Sequence, residues 1–197
     1  MKTWQMLVIA GMTTSTAMAT IRGTATIGCV AVQVRMKSLV SIGDWVKAEY
    51  AAGQVFSNVG VQINWEGFSS RERNASCIAV RIQLDPKSTR TSNSDALAYA
   101  LPYQAGGTQI YVSMDRIMAY GPGTRAVVLG YAITHEIAHV LEGINRHSAE
   151  GVMKASWTGR DYCAMRRGSF GFAAEDIELI RMRFSKMEEQ VMTSAHQ

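Results

Sequence analysis

Hydrophobic and polar residues alternate over 29–36, with Val30, Val32, Val34 and Met36 set against Ala31, Gln33 and Arg35. A period of two marks a strand with one buried face. The alternation returns at Val61, Ile63 and Trp65, and again at Ile78, Val80, Ile82 and Leu84, where Asp85-Pro86 closes it. Residues 108–114 place Ile110, Val112 and Met114 on one side. A weaker run over 96–101 stops at Pro102, which suits a sheet edge, because proline has no N–H to give to a ladder. Helical spacing appears after Ser41, where Trp45, Ala48, Ala52, Val55, Phe56 and Val59 form a stripe. Ser41 and Asp44 there resemble a capping box, and Gly60 ends the segment. A second helix is expected over 125–142, between Thr124 as N-cap and Gly143, and a third over 173–187 with Ile177, Ile180 and Phe184 on one face. Residues 87–95 read as a polar loop, 143–172 as a glycine-rich irregular segment and 188–197 as a frayed tail. The order β-α-β-β-β-β-α-loop-α predicts an α/β sheet with two helices packed on it.

The N-terminus reads as an address. Lys2, an apolar stretch over 4–12 and the small-residue ending Ala17-Met18-Ala19 have the layout of a secretory signal cleaved near Ala19. The expected location is therefore exported, secreted or periplasmic. No run of 18 apolar residues exists, so no membrane anchor is expected. Of the 197 residues, 47% are hydrophobic and 18% charged, enough for a packed core and against disorder. The net charge of +4 comes from 20 basic and 16 acidic residues spread along the chain, which argues against nucleic acid as a partner. The spacing of Cys29, Cys77 and Cys163 matches no zinc-finger pattern. In an oxidising compartment the odd count implies one disulfide plus one free thiol, or a thiol buried as a small hydrophobe, with the pairing open.

Chemistry concentrates at His135-Glu136-Ile137-Ala138-His139, an H-E-x-x-H motif inside the second helix. Residues four apart on a helix share a face about 6 Å apart, so both imidazoles reach one Zn²⁺ at about 2.0–2.1 Å. Glu136 sits beside them as general base to a metal-activated water. The plainer reading is two core histidines and a surface glutamate. Against it, residues 126–133 are apolar all round, and Glu136 has only Ala132 and Val140 four residues away. A carboxylate buried there lacks a cation, and a divalent metal supplies one. A catalytic zinc needs a third protein ligand. The candidates are His147, Glu150, Asp161, Glu175 and Asp176, and His147 is the nearest, past the helix-stopping Gly143.

These residues resemble the metzincin clan of zinc endopeptidases, whose pattern is H-E-x-x-H-x-x-G-x-x-H followed by a methionine-containing turn. His135, Glu136, His139, a following glycine and His147 match it, and Met153 in Gly151-Val152-Met153 falls where the Met-turn belongs. His147-Ser148 is similar to the His-Ser of the matrixin branch. Two departures stand out: the third His follows the second by 147 − 139 = 8 residues where the clan has six, and Ala155 replaces a tyrosine seen in some branches. The resemblance implies a twisted, mostly parallel five-stranded sheet with an antiparallel edge strand and two packed helices. A small irregular C-terminal subdomain ending in a helix follows, the whole catalytic domain spanning 20–187. It further implies one catalytic zinc on His135, His139 and His147, with Glu136 as base.

The same resemblance makes the run around Ala98, Tyr99 and Ala100 an edge on which an extended substrate can lie. Tyr162, after the Met-turn, falls where a pocket wall or oxyanion donor would be, with core packing as the plainer role. The expected protein is a monomeric zinc metallopeptidase acting on peptide or protein substrate. Two alternatives remain: a gluzincin-type peptidase with Glu175 as third ligand, and a catalytically silent peptide-binding module on the same fold.

Overall fold

The alternating segments become strands because each has one face to bury, and they bury it together. In the computed structural model, which describes residues 25–66, 77–87, 96–104 and 107–194, these strands are β1 (Gly28–Met36), β2 (Val61–Glu66), β3 (Ile78–Asp85), β4 (Ala98–Gln104) and β5 (Gly107–Ser113). They form one sheet in the order β2-β1-β3-β5-β4, parallel throughout except for β4, which runs antiparallel to β5 at the edge. The helices are α1 (Ile42–Ser57), α2 (Met114–Met118), α3 (Arg125–Glu142), α4 (Gly159–Arg166) and α5 (Ala174–Ser194). The fold class is the α/β arrangement expected.

Register puts the apolar sets on one face. Val32 pairs with Val80, Ile82 with Ile110, and Leu84 with Val112. All six are buried in a core shared with Ala48 and Phe56 of α1 and Val128, Leu129, Ala132, Ile133 and Ile137 of α3. Each large apolar side chain so enclosed contributes about 1.5–3 kcal/mol relative to exposure. The opposite face is polar or aromatic: Gln33 donates to Glu66, Gln83 to Asp85, and Tyr99 stacks on Tyr111.

α1 and α3 cross closely because α3 has a glycine there; a Cβ on Gly130 would lie 2.6 Å from the Ala48 carbonyl oxygen. At their N-termini, Arg125 Nη2 pairs with Asp44 Oδ2 at 2.7 Å. Ser41 caps α1 by accepting from the Asp44 N–H. Thr124 occupies the N-cap position of α3 without a side-chain cap bond, and Gly143 ends that helix with φ +70°. Cys29 and Cys77 form the disulfide, joining the starts of β1 and β3, and Cys163 is the free thiol.

Four local expectations differ. β5 ends at Ser113, and Met114 opens α2, whose two buried residues, Met114 and Ile117, are too few to show a period in the sequence. β4 continues past Pro102 to Gln104 with shifted pairing between Leu101 and Gln104, as an edge strand can when one N–H is missing. The segment over 143–172 contains α4, whose entry is tied by Asp161 accepting from the Thr158 N–H. α5 runs on to Ser194, through most of the stretch read as a tail. No described helix is long and apolar enough to cross a membrane. The N-terminal stretch read as a secretory signal and residues 88–95 of the polar loop lie outside the described residues.

Candidate metal centre

α3 carries His135, Glu136 and His139. His135 and His139 face each other with Nε2 atoms 3.0 Å apart. Past Gly143 the chain returns, so that the His147 ring lies 5.2 Å from His135 and 5.1 Å from His139, centre to centre. One ligand atom from each ring falls within 4.8 Å of the other two, and among the described residues these three form the one group of His, Cys, Asp or Glu arranged to hold a metal. Tetrahedral zinc on nitrogens at about 2.0–2.1 Å holds them about 3.3 Å apart. The His135–His139 pair is already near that distance, and an adjustment on the order of 1 Å by the exposed His147 completes the set.

The outer contacts prepare the rings. His135 Nδ1 lies 2.9 Å from the Val152 carbonyl oxygen. Because a carbonyl only accepts, Nδ1 carries the proton and Nε2 is left bare for a ligand bond. Val152 O also accepts from Trp157 Nε1 at 3.1 Å. The Trp157 ring stands edge-on to His135, at 5.9 Å. Burial, with repulsion from the other two imidazoles, holds His135 down to about 4, the neutral form a metal requires. His139 is lowered as well, first by burial. Its Nδ1 is buried near the Ile144 carbonyl without a well-aligned hydrogen bond.

Glu136 is only 7% exposed. Burial pushes its carboxyl up to about 8, against the opposing effect of a hydrogen bond from the Ala100 backbone. No cation pairs with it among the described residues. A divalent ion on the neighbouring imidazoles would restore its ionised form. The donor chemistry and the uncompensated acid both fit zinc.

Met153 lies wholly buried in a turn where Ser148 N–H donates to its carbonyl at 2.8 Å. Gly151 makes that turn with φ +72°. Ala98, Tyr99 and Ala100 sit on the edge strand β4, and the Ala100 bond to Glu136 brings that strand to the base. The Tyr162 hydroxyl hydrogen-bonds the Tyr120 hydroxyl at 2.8 Å, and its ring stands edge-on to Trp157. Burial and Tyr120 push the Tyr162 phenol above its ordinary range.

The other candidate ligands are elsewhere. Glu175 faces Arg146 at 3.3 Å, Asp161 pairs with Lys154, and Asp176 is fully buried against Arg146. Glu150 is exposed and outside the cluster. Sequence reasoning missed Trp157 and the Val152 carbonyl as supports of His135. No residue pattern signals a backbone acceptor, although the Met-turn placed 152 close by.

No family model matches the chain, and no curated protein matches it. Among solved structures it is similar to an archaemetzincin from Methanopyrus kandleri, with a TM-score of 0.50 and 13% identity over 83% of this chain and 98% of that one. The ECX AB5 holotoxin in its GM1-bound form aligns at a TM-score of 0.41 and 13% identity over 81% of this chain and 83% of that one. The first likeness shows a metzincin-like fold, and the three histidines fit the zinc site that the sequence resemblance implies.

Proposed function

We propose that this chain is a zinc-dependent endopeptidase. The observation that carries the proposal is the convergence of three imidazoles beside a buried glutamate that has no cation of its own. His135, His139 and His147 would hold the ion, with Val152 O fixing the tautomer of His135. When bound, zinc supplies Lewis-acid polarisation of a carbonyl and acidifies water.

The chain's own groups do the rest. Glu136 takes a proton from the attacking water and returns it to the leaving amine, so each peptide bond broken restores its ionisation state. The Ala100 N–H orients that carboxylate. β4 pairs with β5 along one side only, and its other edge can take an extended peptide as a further strand. We also assign the chain to an exported protein; the Cys29–Cys77 disulfide supports this, since oxidising compartments preserve such bonds.

The test is cleavage of a broad peptide library by zinc-loaded protein, with and without chelator. Cleavage abolished by the chelator is expected. The E136Q variant should keep its zinc and lose about 100- to 10,000-fold in rate. Zinc-loaded protein that cuts no peptide would turn the assignment to a silent peptide-binding module.

A further inference from the structure

The loop from His139 to His147 is two residues longer than the clan pattern, and a longer loop holds its last residue less firmly unless something ties it down. Arg146, immediately before the third histidine, makes such a tie. Its guanidinium is inserted between the end of α3 and the first turn of α5. Nη2 meets Asp176 Oδ1 at 2.6 Å, Nη1 meets Glu175 Oε2 at 3.3 Å, and Nε faces Glu142 Oε2 at 3.6 Å. The side chains of Asp176 and Glu142 are fully buried. On the other side of His147, the Ser148 hydroxyl donates to the same Asp176 oxygen. The second Asp176 oxygen accepts the Ala173 N–H at 3.1 Å, which fastens the acid to the start of α5.

We propose that Arg146 is a positioning residue for His147: with Ser148 it clamps both flanks of the third imidazole onto Asp176. The inference rests on the metal reading above. Three carboxylates surround one guanidinium, and neither buried acid has another cation among the described residues. Without Arg146, Glu142, Glu175 and Asp176 repel one another across the gap between α3 and α5. Opening that gap to water relieves the repulsion and releases the segment carrying His147. A planar fork serves where an ammonium does not, because one guanidinium reaches all three acids at once.

The experiment compares Zn²⁺ and Co²⁺ binding by wild type, R146M, R146K and H147A, using chelator competition and the Co²⁺ visible spectrum. Affinity is expected to fall about 10- to 100-fold in R146M, with R146K between it and wild type. The cobalt spectrum of R146M should move toward that of H147A. A role confined to stability would lower the melting temperature and leave both spectrum and affinity unchanged; that result overturns the proposal. Should R146M not fold, R146K decides, because it keeps the charge and loses the fork. If wild type binds neither ion, the metal reading itself falls, an outcome distinct from equal binding by wild type and the Arg146 variants.

Discussion

The Nδ1 atom of His135 lies 2.9 Å from the carbonyl oxygen of Val152, a residue 17 positions further along the chain. A helix side chain and a turn backbone thus set each other, and the turn depends on Gly151. With φ at +72°, a Cβ on Gly151 would also stand 2.7 Å from Gly171 O and 2.9 Å from Ala173 N. Both neighbours are backbone and cannot rotate away. Gly151→Ala should displace the Val152 carbonyl, weaken zinc binding about tenfold and cost about 1–3 kcal/mol of stability. Chelator competition and urea unfolding check the two effects separately.

Gly130 poses two opposing effects. In a helix interior, alanine is better than glycine by about 1 kcal/mol. Here the added methyl would lie 2.6 Å from Ala48 O and 3.0 Å from Ala51 Cβ. Forcing α1 and α3 apart costs about 1–3 kcal/mol, so the clash outweighs the propensity. Gly130→Ala is expected to lower the urea midpoint; an increase would mean that the helices separate at no cost.

Acid should loosen the junction between α1 and α3. The Ser41 contact, then Arg125, holds the Asp44 carboxyl below its ordinary value of 3.8. A depressed carboxylate adds stability above its unfolded pKa, and that stability is lost as pH falls through the folded value. Wild type should exceed D44N in stability at pH 7, by no more than about 1 kcal/mol for a pair so near solvent. The difference should begin to shrink as pH falls to 3.8 and vanish only below the folded value. Urea midpoints measured from pH 7 to pH 3 test the sign.

Removing the disulfide should be felt in the sheet. Cys29 and Cys77 are 48 residues apart and tie neighbouring strands. The double change C29A/C77A is expected to cost about 2–4 kcal/mol, while C163A leaves the stability within about 0.5 kcal/mol. Thermal unfolding of the three proteins decides it.

What the sequence shows plainly is whatever repeats. Val30 to Met36 and Ile78 to Leu84 display period two because one face is buried, and α3 is framed by Thr124 and Gly143. The candidate metal ligands were legible because imidazole chemistry needs particular residues at particular spacing. α4 was not: its eight residues bury Met165 alone and leave Asp161, Tyr162, Cys163 and Ala164 only partly covered, so only Thr158 and Asp161, an entry signature, mark it. Nor was the role of Arg146 visible. Its partners lie four residues before it and 29 and 30 after it, and only the docking of α5 on α3 brings them together.

Three histidines, and not Glu175, are expected to hold the metal. Zinc per chain in residues 20–197 tests it most directly, comparing wild type with H147A and E175A. The expected result is one zinc in wild type and in E175A, and binding weakened at least tenfold in H147A. Loss of zinc in E175A with retention in H147A would make Glu175 the third ligand and exclude His147.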